Sequence, residues 1–367
     1  MKTRLTFAHS TLSMPLRVSE IDPQTDARWE TFLSGLPGIC IFYTPPWLRV
    51  LEETYGYRSF HLICEDASGH TMGVLPLFYS RGWRSGRVLR SVYTGPLALS
   101  DAARLALLQF ALKRVDTEDD VKLRFKMMSN AIDGQVGGMT GVPAYETYML
   151  ALPERVELLR VDSAIRRAVN KALRLGVKVR EAESERELRA WYRLYAHTMC
   201  KLALLPNPYR LFELAWRYLR SRGMLRLLLA EYVKEGKRKL VAGNLLLYYG
   251  QTISFDSSGW SEQDQALRAN DLLHWQAIYD ACAAGARWYD FGDVSLDNAG
   301  LARYKTKWGA KPDLIYGYSY PVLHGVSNEQ KANEPGAMRR LIRVAWHHLP
   351  PGMLGRASAW YHKLHLY

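Results

Sequence analysis

Long apolar runs are missing from this chain. No stretch reaches the roughly 18 residues that a membrane-spanning helix requires. The opening MKTRLTFAHS is basic and lacks a continuous apolar segment, so no signal peptide is expected and the expected location is cytoplasmic. Cysteine is scarce, and Cys40, Cys64, Cys200 and Cys282 form no C-x-x-C pair. That spacing excludes a disulfide framework or a zinc knuckle. His197 and Cys200 make a lone H-x-x-C, which is too little for a metal site, and no metal is expected. Nucleotide-binding loops are also missing. There is no G-x-G-x-x-G and no Walker A lysine, and GQVGGMTG at 134–141 has the wrong spacing. Acidic residues are few, 36 against 49 Lys plus Arg, for a formal net charge of +13. That excess favours an anionic partner such as a phosphate-bearing substrate, anionic lipid or nucleic acid.

What is present is the material of a globular protein. The 367 residues, 48% hydrophobic and 23% charged, are enough for two domains with real cores. An internal echo supports two. Gly73-Val-Leu-Pro-Leu-Phe-Tyr79 matches Gly243-Asn-Leu-Leu-Leu-Tyr-Tyr249, and each follows another strand-like run, FHLICED at 60–66 and LRLLLAEY at 225–232. Turns ASGH and KEGKRK separate the runs, which predicts two hairpins. Further on, Arg87–Val92 and Thr252–Ser257 read as strands. Asp101–Arg114 reads as a helix with Asp101 as N-cap and Leu105, Leu108 and Leu112 on one face. Asn270–Ala284 reads as a helix ended by Gly285. Val121–Lys126 and Arg287–Phe291 close the repeat as strands. The shared order predicts a duplication with an offset near 170 residues early and 166 late.

Between the halves, Ile165, Ala168, Val169, Ala172 and Leu173 form a helical apolar stripe beside Arg166, Arg167, Lys171 and Arg174, stopped by Gly176. Two more helices are expected at about 183–202 and 209–222, after the break at Pro206 and Pro208. Beyond residue 321 the composition changes. MRRLIRVAWHHL at 338–349 is a basic amphipathic helix that either packs back on the second domain or lies on an anionic membrane surface.

WYDFGDVSLDNAGLARYKTKWGA, at 288–310, contains the D-F-G with which a kinase holds magnesium. A kinase also needs a glycine-rich loop and an H-R-D catalytic loop, and both are missing, which rules phosphoryl transfer out. Asp290 and Phe291 then read as the end of a strand, with Phe291 in the core, Gly292 at a sharp turn and Asp293 just past the strand edge.

This segment, with Gly300, Leu301, Tyr304, Lys305, Trp308 and Gly309, resembles the signature of the FemAB-like branch of the GNAT acyltransferases. FYTPPWLRVLEETYGY at 42–57, Leu75-Pro76-Leu77, and Ile165-Arg166-Arg167-Ala168 with Lys171 and Gly176 are similar to other motifs of that branch, in the same order, over roughly residues 25–320. The resemblance implies an α+β fold of two tandem GNAT-like domains, each a mixed, mostly antiparallel sheet flanked by helices. It would divide the chain into 1–155, 156–320 with the active site, and a basic helical tail at 321–367. It also implies acyl or aminoacyl transfer to an amine of an envelope or polysaccharide precursor. The alternatives are a conventional acetyl-CoA N-acetyltransferase acting on a small amine, and a non-catalytic envelope-assembly module.

Two departures bear on the donor. The family often has Arg after D-F-G where Asp293 stands, and no long helical-hairpin arm is legible at 183–222. Where an acetyl-CoA enzyme carries R/Q-x-x-G-x-G/A, this chain reads Arg268-Ala-Asn270-Asp-Leu-Leu. The donor therefore stays open between acyl-CoA and aminoacyl-tRNA, and DNA is not an expected partner. Acyl transfer needs a proton acceptor, oxyanion stabilisation and alignment. Lys305 is the expected oxyanion or phosphate partner, Asp293 the base or ammonium-binding group, and Tyr304 a hydrogen-bond donor to the carbonyl. Trp308, Arg303, Arg166, Arg167, Lys171, Arg268 and Asn270 are the expected substrate-binding residues. Peripheral membrane contact at the inner face, through 338–367, is a further expectation.

Overall fold

Two halves of the same plan share one large sheet, beside which the first half forms a smaller one. The computed structural model describes residues 15–321, apart from 83–85, 92, 94, 203 and 235, so the basic segment at 338–367 lies outside the described residues. The first half runs β1 (Arg17–Ile21), α1 (Ala27–Ser34), α2 (Pro45–Tyr55), β2 (Arg58–Ser59), β3 (His61–Glu65), β4 (Thr71–Leu75), β5 (Phe78–Gly82), β6 (Gly86–Arg90), β7 (Leu97–Ala98), α3 (Asp101–Asp116), β8 (Val121–Met127) and β9 (Val142–Ala151). The second runs α4 (Ser163–Arg174), β10 (Lys178–Glu181), α5 (Glu185–Lys201), α6 (Tyr209–Leu219), β11 (Leu225–Lys234), β12 (Lys237–Tyr249), β13 (Thr252–Trp260), α7 (Ala269–Ala283), β14 (Trp288–Ser295), α8 (Ala299–Lys307) and β15 (Lys311–Tyr320). Strand, two helices, hairpin, helix and strand recur in the same order.

The echoed segments part company at one residue. In the second half the strand containing Gly243 continues unbroken as β12. In the first half the matching run is interrupted after Leu75 by Pro76, which has no N–H to give the ladder. β4 joins a four-stranded sheet, β1-β3-β4-β7, while β5 joins the large eleven-stranded one, β10-β11-β12-β13-β14-β9-β15-β8-β6-β5-β2. The expected single strand from Gly73 to Tyr79 is therefore two strands in two sheets.

The order of the large sheet shows an exchange. β9, the last strand of the first half, lies between β14 and β15 and is antiparallel to both. β15, the last strand of the second half, pairs on its other side with β8. Each half thus lends its final strand to the other's sheet, and the expected division at 155/156 falls between the two exchanged connections.

Three apolar cores result. One joins the halves, with Trp29, Trp47 and Leu48 against Trp191, Phe212 and Trp216 where α2 meets α6. The second lies in the C-terminal half and includes Ile165, Leu273, Phe291 and Trp308. The third lies under α3 and contains Leu107, Phe125 and the lent Tyr318.

Several local expectations shift. Ser100, not Asp101, caps α3, accepting from the backbone N–H of Ala103. The buried face of α3 is Ala103, Leu107, Leu108, Ala111 and Val115; Leu105 and Leu112 pack only partly against it. In α4, Ile165, Ala168, Val169 and Ala172 are buried as expected, but Leu173 is 55% exposed because it falls past the edge of the contact with α7. β14 does not end at Phe291. It runs on to Ser295 through an irregularity between Asp290 and Asp293, so Asp293 is within the strand.

Candidate functional site

β13 and β14 pair in parallel only over Thr252–Ser254 against Trp288–Asp290, and then separate. Beyond the parting, β13 continues as Phe255, Asp256 and Ser257, and β14 as Phe291, Gly292 and Asp293. Gly292 has φ 75°, a left-handed conformation that glycine adopts without a side-chain clash. The Asp290 carboxylate accepts from its backbone N–H at 2.7 Å, closing a tight local turn inside the strand.

Lys305, on α8, reaches this bulge from beneath. It is 4% exposed, and its Nζ donates to the carbonyls of Gly292 at 2.7 Å and Asp293 at 3.3 Å. Burial lowers its pKa to about 8, against an upward pull from Asp290 and Asp293. An ammonium has three N–H groups, and two are used here. Carboxyls on β13 and β14 shift the other way. Asp256 is raised to about 6 by burial despite the Ser257 hydroxyl that donates to it at 2.8 Å. Asp290 and Asp293 are both raised, mainly by burial. The backbone N–H of Gly292 offsets the shift of Asp290, and the charges of Lys126 and Lys305 offset that of Asp293.

The first half closes on this site. Cys40, before α2, is pushed up to about 12 by burial, with Asp290 and Asp293 adding to the shift. Lys126, on β8, holds its ammonium 4.2 Å from the centre of the Tyr145 ring on β9. Thr147, also on β9, donates to Asp290 at 3.4 Å. The exchanged strand therefore carries first-half side chains to second-half carboxylates.

A second group lies at the start of α7. Arg268 sits at the N-cap with φ 59° and offers no side-chain cap, so the first-turn amides keep no partner from that position. Its Nε pairs with Asp271 at 3.0 Å, and the Tyr304 hydroxyl donates to the same carboxylate at 3.4 Å. Burial raises Asp271 in spite of both. The side-chain oxygen of Asn270 is buried without a hydrogen-bond partner. One turn on, His274 is buried between Phe255 and Phe291 and bonded through Nδ1 to the Tyr289 hydroxyl at 2.9 Å. Burial and the Lys305 charge hold it neutral, with a pKa of about 3.

The expected residues thus fall into separate places. Lys305 meets the Asp293 backbone, while Tyr304, Arg268 and Asn270 gather at α7. Trp308 is wholly buried against His274 at 5.7 Å and lines no opening. Arg303, Arg166, Arg167 and Lys171 are exposed on α8 and α4, and no contact joins them to Lys305 among the described residues. Asp256, Lys126 and Cys40 were not singled out from the sequence. Asp256 does carry a signal, an acid in the middle of TISFDSSGW where strands disfavour aspartate. Lys126 and Cys40 carry none, because only the exchange brings them here. Two depressions lie away from this group: about 690 Å³ lined by residues including Tyr55, Tyr57, Arg58 and Tyr79, and about 390 Å³ lined by Glu181, Trp216, Arg217, Arg220 and Ser221.

A strand pair that parts beside a helix N-terminus, in two halves of one plan, is the arrangement of the GNAT fold. Residues 160–306 match the family model described as acetyltransferase (GNAT) domain. Solved structures agree on the fold. FemX aligns with TM-score 0.68 at 15% identity, covering 89% of this chain and 100% of its own. The C-terminal domain of a putative lysylphosphatidylglycerol synthetase from Agrobacterium fabrum aligns at 0.55 and 12% identity, covering 88% and 95%. A tandem GNAT protein from the clavulanic acid biosynthesis pathway aligns at 0.51 and 10% identity, covering 83% and 98%. No protein of curated function matches the sequence significantly. The resemblance to the FemAB-like branch, and with it the tandem α+β fold, is borne out.

Proposed function

We propose that this protein transfers an acyl or aminoacyl group to an amine of a cell-envelope precursor, at the parting of β13 and β14. The observation that carries this reading is Lys305: a buried ammonium, anchored by two carbonyls and surrounded by carboxyls, with one N–H left to give. The acceptor amine attacks the donor's carbonyl carbon, and a C–N bond forms. Asp293 takes the ammonium proton. Lys305 donates its remaining N–H to the oxygen that becomes negative, where a fixed donor in a desolvated site acts strongly. The donor's ester or thioester bond then breaks, and the leaving oxygen or sulfur departs. The uncapped first turn of α7, with Arg268, would receive donor phosphates. The fold shared with FemX and with lysylphosphatidylglycerol synthetases supports an aminoacyl donor and an envelope acceptor, and work at the inner membrane face. The match to an acetyltransferase domain supports the second reading, acetyl-CoA with a small amine.

Purified protein incubated separately with labelled acetyl-CoA and with aminoacyl-tRNA, each with lipid-linked and soluble amine precursors, separates the readings. Transfer from one donor, reduced about a hundredfold or more by Lys305→Met and partly restored in Lys305→Arg, supports the mechanism. Transfer undiminished in Lys305→Met would sink it.

A further inference from the structure

We propose that the outer face of α4 docks on an anionic lipid membrane. This does not rest on the catalytic reading. The helix packs on α7 through Ile165, Ala168, Val169 and Ala172. At about 100° per residue, the opposite arc carries Arg166, Arg167, Lys171 and Arg174, and all four are exposed. Two neighbours enlarge the patch. Arg160 is exposed just before the helix, and Lys307 is exposed at the end of α8, whose carbonyl accepts from the backbone N–H of Asp162 at 2.9 Å.

This charge is left uncompensated. Among the described residues no ion pair engages any of these six cations. Asp162, the nearest acid in the chain, turns its carboxylate to the backbone N–H of Ala164 at 2.7 Å as the helix cap. Some other cations of this half are paired with acids. Arg180 bridges Glu187 and Glu231, and Arg226 bridges Glu181 and Asp280. The patch stands out because it gathers six cations, none in an ion pair among the described residues, on and beside one helix.

Leucines decide between the anions that could meet it. Leu173 is 55% exposed and lies about 20° around the helix from Arg166, and Leu175, at the C-cap, is 43% exposed. An RNA partner would neutralise the cations and leave both leucines in water. A lipid surface takes both kinds of group: headgroup phosphates meet the cations, and the leucines enter the boundary with the acyl chains. No helix of the described residues is long and apolar enough to cross a membrane, so the contact is peripheral.

The test is co-sedimentation of the full chain with vesicles of phosphatidylcholine alone and of phosphatidylcholine mixed with phosphatidylglycerol. The wild type should sediment only with the mixed vesicles, and less at high salt. Arg166→Glu, Arg167→Glu and Lys171→Glu combined should reduce partitioning by at least about tenfold. Leu173→Asp should reduce it further under high salt, where the cations are screened. All four positions are exposed, so an unchanged melting curve verifies the fold of each variant. Failure of the wild type to bind mixed vesicles overturns the proposal. So does a triple variant that sediments like the wild type, or one that loses binding to tRNA while keeping that to vesicles.

Discussion

At the scale of the residue, the site is a set of groups held away from their ordinary charge. Asp256 titrates near 6 in the fold against 3.8 outside it. The folded state therefore binds this proton more tightly than the unfolded chain does, and stability from it is lost as pH rises through about 4 to 6. Asp256→Asn removes that loss. It should stabilise the protein at neutral pH by about 1–2 kcal/mol, allowing for some solvent around a partly buried carboxyl. Thermal melts at pH 7 and pH 4 check this; equal gains at both would contradict it. If Asp256 assists the transfer, kcat/KM of the wild type rises through about pH 6 as it ionises and falls through about pH 8 as Lys305 loses its charge. Asp256→Asn should lose the acid limb only, and a variant that keeps both limbs would show Asp256 to be a bystander. Lys305 is legible in the sequence because it stands in a motif with a glycine bulge before it. Its anchoring to the carbonyls of Gly292 and Asp293 is not legible, because it depends on a strand irregularity that periodicity reads as a strand end.

At the scale of the element, the second half is held together by close approach. α5 lies on β12 and β13 over two glycines. Trp191 Nε1 donates to the Gly243 carbonyl at 2.8 Å, and a Cβ on Gly259 would stand 2.4 Å from the backbone nitrogen of Tyr195. That neighbour is helix backbone and cannot rotate away. Gly259→Ala should cost about 3 kcal/mol, in the range of overpacked cores, and lower the midpoint of chemical unfolding. Gly250→Ala is a useful contrast: it would meet no atom within 4 Å and bears only the cost of its φ of 56°, so it should cost less than Gly259→Ala, whose loss comes from contact alone because Gly259 has no positive φ. Helices were the best-read elements. α5, α6 and α7 lie within two residues of their expected starts, because caps and prolines mark them locally. Strands were read less well. Pro76 splits one strand between two sheets, and the division follows from what each piece meets in space.

At the scale of the whole molecule, the exchange of β9 and β15 makes the halves interdependent. Tyr318, on the lent strand β15, stacks on Phe125 at 5.1 Å and donates to Asp133 at 2.7 Å, so it completes the core under α3. Conversely, Leu150 and Tyr148 on β9 belong to the core that holds Trp308 and Phe291. A fragment ending at 155 keeps β9 but lacks the β15 that covers β8, and a fragment starting at 156 has β15 without its β9 partner. Each would expose an unpaired strand edge and an open core, the combination that favours aggregation. The duplication was visible in the sequence because each half repeats a local order of elements. The exchange was not, since pairing between strands so far apart in the chain leaves no local trace. The expected outcome is that either fragment alone is insoluble or unfolded, that the two co-expressed form a soluble complex, and that the intact chain unfolds in one transition followed equally by circular dichroism and tryptophan fluorescence. Two well-separated transitions, or a fragment 1–155 with a cooperative melt of its own, would mean that each half closes its sheet without the borrowed strand.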